Sequence, residues 1–244
     1  MELTRTVFKV IELLRQNEVP VCIVEELALN YYNVPRVINN VEFCVAEEDL
    51  EKTSPLMARM PIFESAPTQE FSLYTEYQRG FPRFQHRRCK SLHVIFFPDT
   101  FLHLDPLADN ILPPEAHTYN TYYSKEFEEF IHLDDNLSLP LPCLRPFFAG
   151  AARRVQECGD CVSGIAVEQL IDGMDLDERW CRQSISPERP QDLGFILARL
   201  SGKRNRTIDS FLNNHTCYIM DEAEARIVHS IPGRNLGAYK TNES

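Results

Sequence analysis

Apolar residues recur at helical spacing between Thr4 and Gln16, where Val7, Val10, Ile11, Leu13 and Leu14 form one stripe, and the pattern predicts an amphipathic helix. The period then changes. Val21-Cys22-Ile23-Val24 is a short β-branched run bounded by Pro20, which predicts a buried strand. Leu27 to Tyr32 predicts a short helical turn, closed by Asn33 and Pro35 because the position before a proline is pushed out of the α region. A second run, Val37 to Val45, alternates well enough to be a strand with Asn40 and Glu42 on one face. Leu92 to Phe97, stopped by Pro98, predicts a third.

Between these runs the pattern weakens. Glu47-Glu48-Asp49 suits a helix start, since carboxylates favour the positive end of the helix dipole, and Pro55 is expected to end or kink that helix. Residues 61–79 are less regular. Gly80-Phe81-Pro82 marks a turn, and the basic cluster Arg83, His86, Arg87, Arg88 and Lys90 reads first as a solvated loop leading into the third strand and second as a site for a phosphate or an RNA backbone. Residues 98–146 carry seven prolines, which predicts long loops with short elements, a helix over Lys125 to Phe130 among them. Farther on, helical patterns cover Arg145 to Gln156, Ser163 to Ile171 with a stop at Asp172-Gly173, Asp175 to Gln183 capped by Asp175, and Pro187 to Leu200. Ile208 to Met220 fits either helix or strand, and the chain from Pro232 onward carries no core pattern. The expected class is α/β or α+β: an α/β domain over 1–142, a helical part over 143–231 packed on it, and a flexible tail over 232–244.

Composition narrows the function classes. At 244 residues, 43% hydrophobic and 25% charged, the chain can bury a sizeable core. No apolar run approaches a membrane span and no secretory signal pattern opens it, so a cytoplasmic protein with no membrane partner and eight reduced cysteines is expected. A net charge of −11 argues against general nucleic-acid binding while leaving room for a local basic groove. Cys158-Gly159-Asp160-Cys161 is a lone CxxC without the second pair a zinc ribbon needs.

The segment Glu25-Glu26-Leu27-Ala28-Leu29-Asn30-Tyr31-Tyr32-Asn33-Val34-Pro35-Arg36-Val37, followed by Asn40-Val41-Glu42, resembles the opening of a fungal set of nucleotidyltransferase-fold proteins. Gln169 to Trp180, QLIDGMDLDERW, resembles a second block of the same set. The resemblance implies a small mixed sheet with a ligand pocket at the first strand's end. It also implies three carboxylates converging on Mg²⁺ to neutralise a triphosphate. This chain departs from that pattern. Asn40 stands at the first expected acid, His93 at the third, Glu42 alone remains, and Glu25-Glu26 replaces a glycine turn. No metal site and at most weak Mg²⁺ binding are therefore expected.

Glu25, Glu26 and Glu42 are the candidate catalytic groups, with Tyr31, Arg36, Asn40 and His93 as substrate contacts. Each has a plainer reading: acids at a helix N-terminus, tyrosines in the core, a histidine satisfied on a strand. If Glu42 is structural, Arg36 is its expected partner. A further resemblance, to the fungal arginine-containing cyclodipeptide synthases, implies a small-molecule substrate and aminoacyl-tRNA as the acyl source. A metal-dependent nucleotidyltransferase and a non-catalytic binding protein are the alternatives.

Overall fold

The computed structural model describes residues 2–67, 70–116, 127, 139–203, 219 and 221–237. Helix α1 (Glu2–Gln16) buries Val7, Val10, Ile11 and Leu14 and leads into β1 (Val21–Ile23). Then follow α2 (Glu25–Tyr31), β2 (Asn40–Val45), a 3₁₀ turn (Glu47–Asp49) and α3 (Leu50–Ala58). Next come β3 (Phe63–Ser65), a 3₁₀ turn (Glu76–Gln78), β4 (Arg83–His86) and β5 (His93–Pro98). Short α4 (Asp99–Leu102) and α5 (Leu107–Asn110) precede the helical part: α6 (Leu144–Cys158), α7 (Cys161–Gly173), α8 (Glu178–Ser184), α9 (Pro190–Ser201) and α10 (Glu222–His229). No helix among the described residues is long and apolar enough to cross a membrane.

The fold is α+β around one mixed five-stranded sheet of order β1-β2-β5-β4-β3. The three strands expected from apolar runs are neighbours: β1 pairs antiparallel with β2, and β2 runs parallel to β5. The outer pair differs from expectation. Arg83–His86 is a strand, not a loop, antiparallel to both β5 and β3. Its charges are held within the sheet edge: Glu64 of β3 takes both Arg87 and Lys90, and His86 Nε2 lies 3.1 Å from Glu2 of α1.

Register gives the sheet two unlike faces. Ile23, Phe43, Phe96 and Phe84 lie on the first, with Phe43 stacked on Phe96 at 5.7 Å. The second carries Asn40, Glu42 and Cys44 of β2, His93, Ile95 and Phe97 of β5, and Arg83 and Gln85 of β4. Phe97 meets Tyr77, Phe81 and Phe101, so the 76–81 segment and α4 cover the second face.

Local expectations fail where tertiary packing overrides a signal. Pro55 does not end α3; it sits inside the helix on an exposed turn, where the carbonyl it leaves unbonded can meet water. Asp177, not Asp175, caps α8 by accepting from the Trp180 N–H at 2.7 Å. Asp175 has φ 47° and instead takes Lys203 Nζ at 2.6 Å and His229 Nε2 at 3.1 Å. Pro232 to Arg234 are buried where a flexible tail was expected: Tyr31 donates to the Pro232 carbonyl, the Leu144 N–H to that of Gly233, and the Arg234 guanidinium lies over Trp180. The expected helix over Lys125 to Phe130 lies outside the described residues apart from Phe127. The ambiguous Ile208 to Met220 stretch lies outside them apart from Ile219, as do residues 238–244.

Gly150 sets the height of α6 over α4. A Cβ there would sit 2.2 Å from the Leu102 carbonyl oxygen, whereas one on Gly194 in α9 would meet nothing within 4 Å. Gly150→Ala is expected to lose about 1–3 kcal/mol in chemical denaturation through overpacking, and Gly194→Ala to gain up to about 1 kcal/mol from helix propensity. Equal effects at the two positions would contradict the close α4–α6 contact.

Candidate active site around Glu42

The β1-to-α2 junction is the first component. Val24 donates to the Glu42 carbonyl, and the chain then turns through Glu25, whose φ of 50° is a left-handed conformation uncommon outside glycine. The Glu25 carboxylate does not face solvent. It is 3% exposed and pairs with Arg154 of α6, Oε1 to Nη2 at 2.6 Å, with Arg154 equally buried. The Arg154 guanidinium also lies 5.7 Å from the centre of the Phe101 ring. Its Nε and Nη1 have no hydrogen-bond partner.

Glu26 serves the backbone. Its Oε2 accepts from the Asn39 N–H at 2.6 Å and the Asn40 N–H at 3.3 Å, which fixes the start of β2. Asn30 reinforces the same corner by bonding both N–H and carbonyl of Arg36. The two acids therefore do different work, and neither offers a free negative charge to a cationic substrate.

Glu42 is the centre. It is 1% exposed, and its Oε1 accepts from Tyr77 OH at 2.6 Å and Gln78 Nε2 at 2.7 Å. Oε2 has no partner. Burial, then the nearby Glu25 and Glu26 charges, push its pKa up to about 8, against the opposing pull of the Tyr77 and Gln78 hydrogen bonds. Burial and the neighbouring acids thus favour the protonated form of Glu42 near neutral pH. The same burial, together with Glu42 and Glu25, raises the Tyr77 pKa and keeps its phenol protonated. Arg36, the partner expected for a structural Glu42, is not bonded to it; its Nε and Nη2 have no partner.

Register brings the other candidates beside Glu42. Asn40 pairs with His93, and Glu42 with Ile95, which in turn pairs with Arg83. His93 is half-buried, 3.5 Å from Gln85 Nε2, with its pKa lowered by burial and then by Arg83. Tyr31 is not a ring platform. It is fully buried, edge-on to Tyr32 at 4.9 Å and to Phe127 at 5.5 Å. Among the described residues, no three His, Cys, Asp or Glu side chains converge where a metal ion could be held.

Three participants were missed from sequence. Arg154 had a readable signal, because it stands three residues after Ala151 and seven after Phe147 on the buried stripe of α6. A charge on an apolar stripe calls for a buried partner. Tyr77 and Gln78 had none, since they belong to a segment without periodicity.

The raised pKa of Glu42 has a signed consequence for stability. The folded chain keeps a proton that the unfolded chain releases above about 4.5, so stability falls as pH rises through that value and levels off beyond about 8. Unfolding free energy of the wild type is expected to drop between pH 5 and 8, by at most about 1.4 kcal/mol per pH unit from this group. Glu42→Gln has no proton to lose and should show a flatter profile over the same window; identical slopes would contradict the assignment.

Compared with known proteins, the chain matches no family model and no curated protein.

Proposed function

We propose that the chain is an enzyme on a nucleotidyltransferase-like sheet in which metal chemistry has given way to acid–base chemistry. Its substrate class is an activated small molecule, and the version the resemblance favours is aminoacyl transfer from charged tRNA to form a cyclic dipeptide containing arginine. The observation that carries this reading is buried Glu42 with one oxygen held by Tyr77 and Gln78 and the other, among the described residues, unpartnered; burial raises its pKa. Its setting supports the same reading. Asn40, Glu42 and His93 share one face of β2 and β5, where the resembled proteins would place three carboxylates.

Acyl transfer from an ester needs a proton delivered to the departing oxygen and another taken from the attacking amine. Protonated Glu42 can give its Oε2 proton to the leaving oxygen. The carboxylate formed is held by Tyr77 and Gln78 on Oε1 and then takes the proton from the amine nitrogen, so the acid is regenerated. The Glu25–Arg154 pair is a fixed charge pair beside this chemistry and does not exchange protons in it. A cytoplasmic location, where charged tRNA is abundant, belongs to the same proposal.

Mass spectrometry of small molecules from cells making the protein is the test. A new cyclic dipeptide is expected from the wild type, and Glu42→Gln should reduce it by about 10²-fold or more while remaining folded by circular dichroism. A folded Glu42→Gln chain with undiminished product would return Glu42 to a packing role, and no product from the wild type would favour a binding protein.

A further inference from the structure

Beside Glu42, between Ala66–Pro67 and the Gln78–Arg83 stretch, lies a cleft of about 250 Å³. Among the described residues, its wall carries two guanidinium groups, Arg79 and Arg83, and no carboxylate side chain. In a chain of net charge −11 that is a local reversal of sign. Arg83 is held by the sheet, two strands across from Glu42 in the same row, so its position is set by backbone register. Arg79 bonds Glu76 at 2.8 Å, but both side chains are well exposed, and such pairs are weak enough to yield to a bound anion.

The floor is equally defined. Phe81 lies edge-on to Phe97 at 5.0 Å and 4.7 Å from Phe101, which fixes the depth of the cleft. Gly80 has φ 89°, and a Cβ there would meet nothing within 4 Å. Glycine is thus needed for the turn between the two arginines and not for space. Gln78 also lines the cleft while only 2% exposed. Its Nε2 is committed to Glu42 and Tyr77, and its Oε1 has no partner. A buried amide oxygen without a donor is a polar vacancy that a ligand hydroxyl or N–H can fill.

We propose that this cleft is an oxyanion subsite, taking a carboxylate or phosphate on Arg79 and Arg83 from a ligand whose O–H or N–H donates to Gln78 Oε1. It rests on the reading of Glu42 as the reacting acid, and adds the substrate class: a ligand with an anionic end one residue away from the acid. Gln78 bridges the two, bonding Glu42 through nitrogen and the ligand through oxygen. Occupancy of the cleft is then felt by the residue that covers the acid.

Calorimetric titration with sodium pyrophosphate and, separately, with citrate at constant ionic strength tests this. Saturable one-to-one binding of at least one probe is expected, and the tighter of the two identifies phosphate or carboxylate as the preferred group. Arg83→Gln should weaken it at least about tenfold. Should that variant fail to fold, Arg79→Gln, at a half-exposed side chain, should weaken binding in the same direction. Arg88→Gln, at an exposed position outside the cleft, should leave the affinity unchanged. Binding should also survive Glu42→Gln, so a failure of the catalytic reading leaves this result separately readable. No saturable binding of either probe, or equal weakening by Arg88→Gln, overturns the subsite.

Discussion

The buried ion pair between Glu25 and Arg154 is the contact on which the rest of the site depends. It joins the first strand's end to a helix 129 residues later, with both partners out of water and 2.6 Å apart. Removing one member of such a pair typically costs about 3–5 kcal/mol, because the other is left as an uncompensated buried charge. The pair also stabilises a left-handed backbone at Glu25 that would otherwise be unfavourable by about 1–3 kcal/mol. Gly150, one turn before Arg154, lets α6 approach α4 closely enough for this reach. Geometry at the β1–α2 turn is therefore held from the helical part and not by local sequence.

With one negative and one positive charge already buried, a third charge has no counter-ion. Glu42 is the group that yields. Its proximity to Glu25 and Glu26, combined with full burial, makes the neutral form the stable one, and two donated hydrogen bonds only moderate the effect. A carboxyl kept neutral near pH 7 is suited to giving up a proton and poorly suited to holding a divalent cation. Asn40 and His93 face each other across a single register pair on the same face, and burial and Arg83 lower the His93 pKa, so neither adds a negative charge beside Glu42.

The central strands were legible because β1, β2 and β5 are apolar runs bounded by prolines or turns, and each is buried on both faces. The hairpin of β3 and β4 was not. Arg83–His86 buries only Phe84 and His86, so its alternation is hidden behind a basic composition, and Phe63–Ser65 is too short to carry a pattern. Asn40 and Glu42 could be placed on a common face from strand periodicity, whereas His93 was added only through the resemblance. Tyr31 and Glu26 could not be assigned, because a tyrosine in the core and one in a pocket look alike in sequence, as do a helix-terminal acid and one bonded to the next strand. What separates them is contact with Pro232 and with Asn39, distant in sequence or across a turn. Pro55 does not end its helix and Asp175 does not cap the next one for the same reason: solvent exposure of one, and ion pairing of the other, replaced the local role.

The protonation state of Glu42 is the most direct test of this account. Carbon-13 carboxyl NMR of glutamate-labelled protein, with the Glu42 signal assigned by its loss in Glu42→Gln, follows that single group through a pH titration. The account predicts a midpoint near 8, far from the ordinary carboxylate value of 4.5. A midpoint near 4.5 in the folded protein would mean that Glu42 is ionised at neutral pH, and would contradict the acid role, the compensation by Glu25 and Arg154, and the chemistry drawn from them.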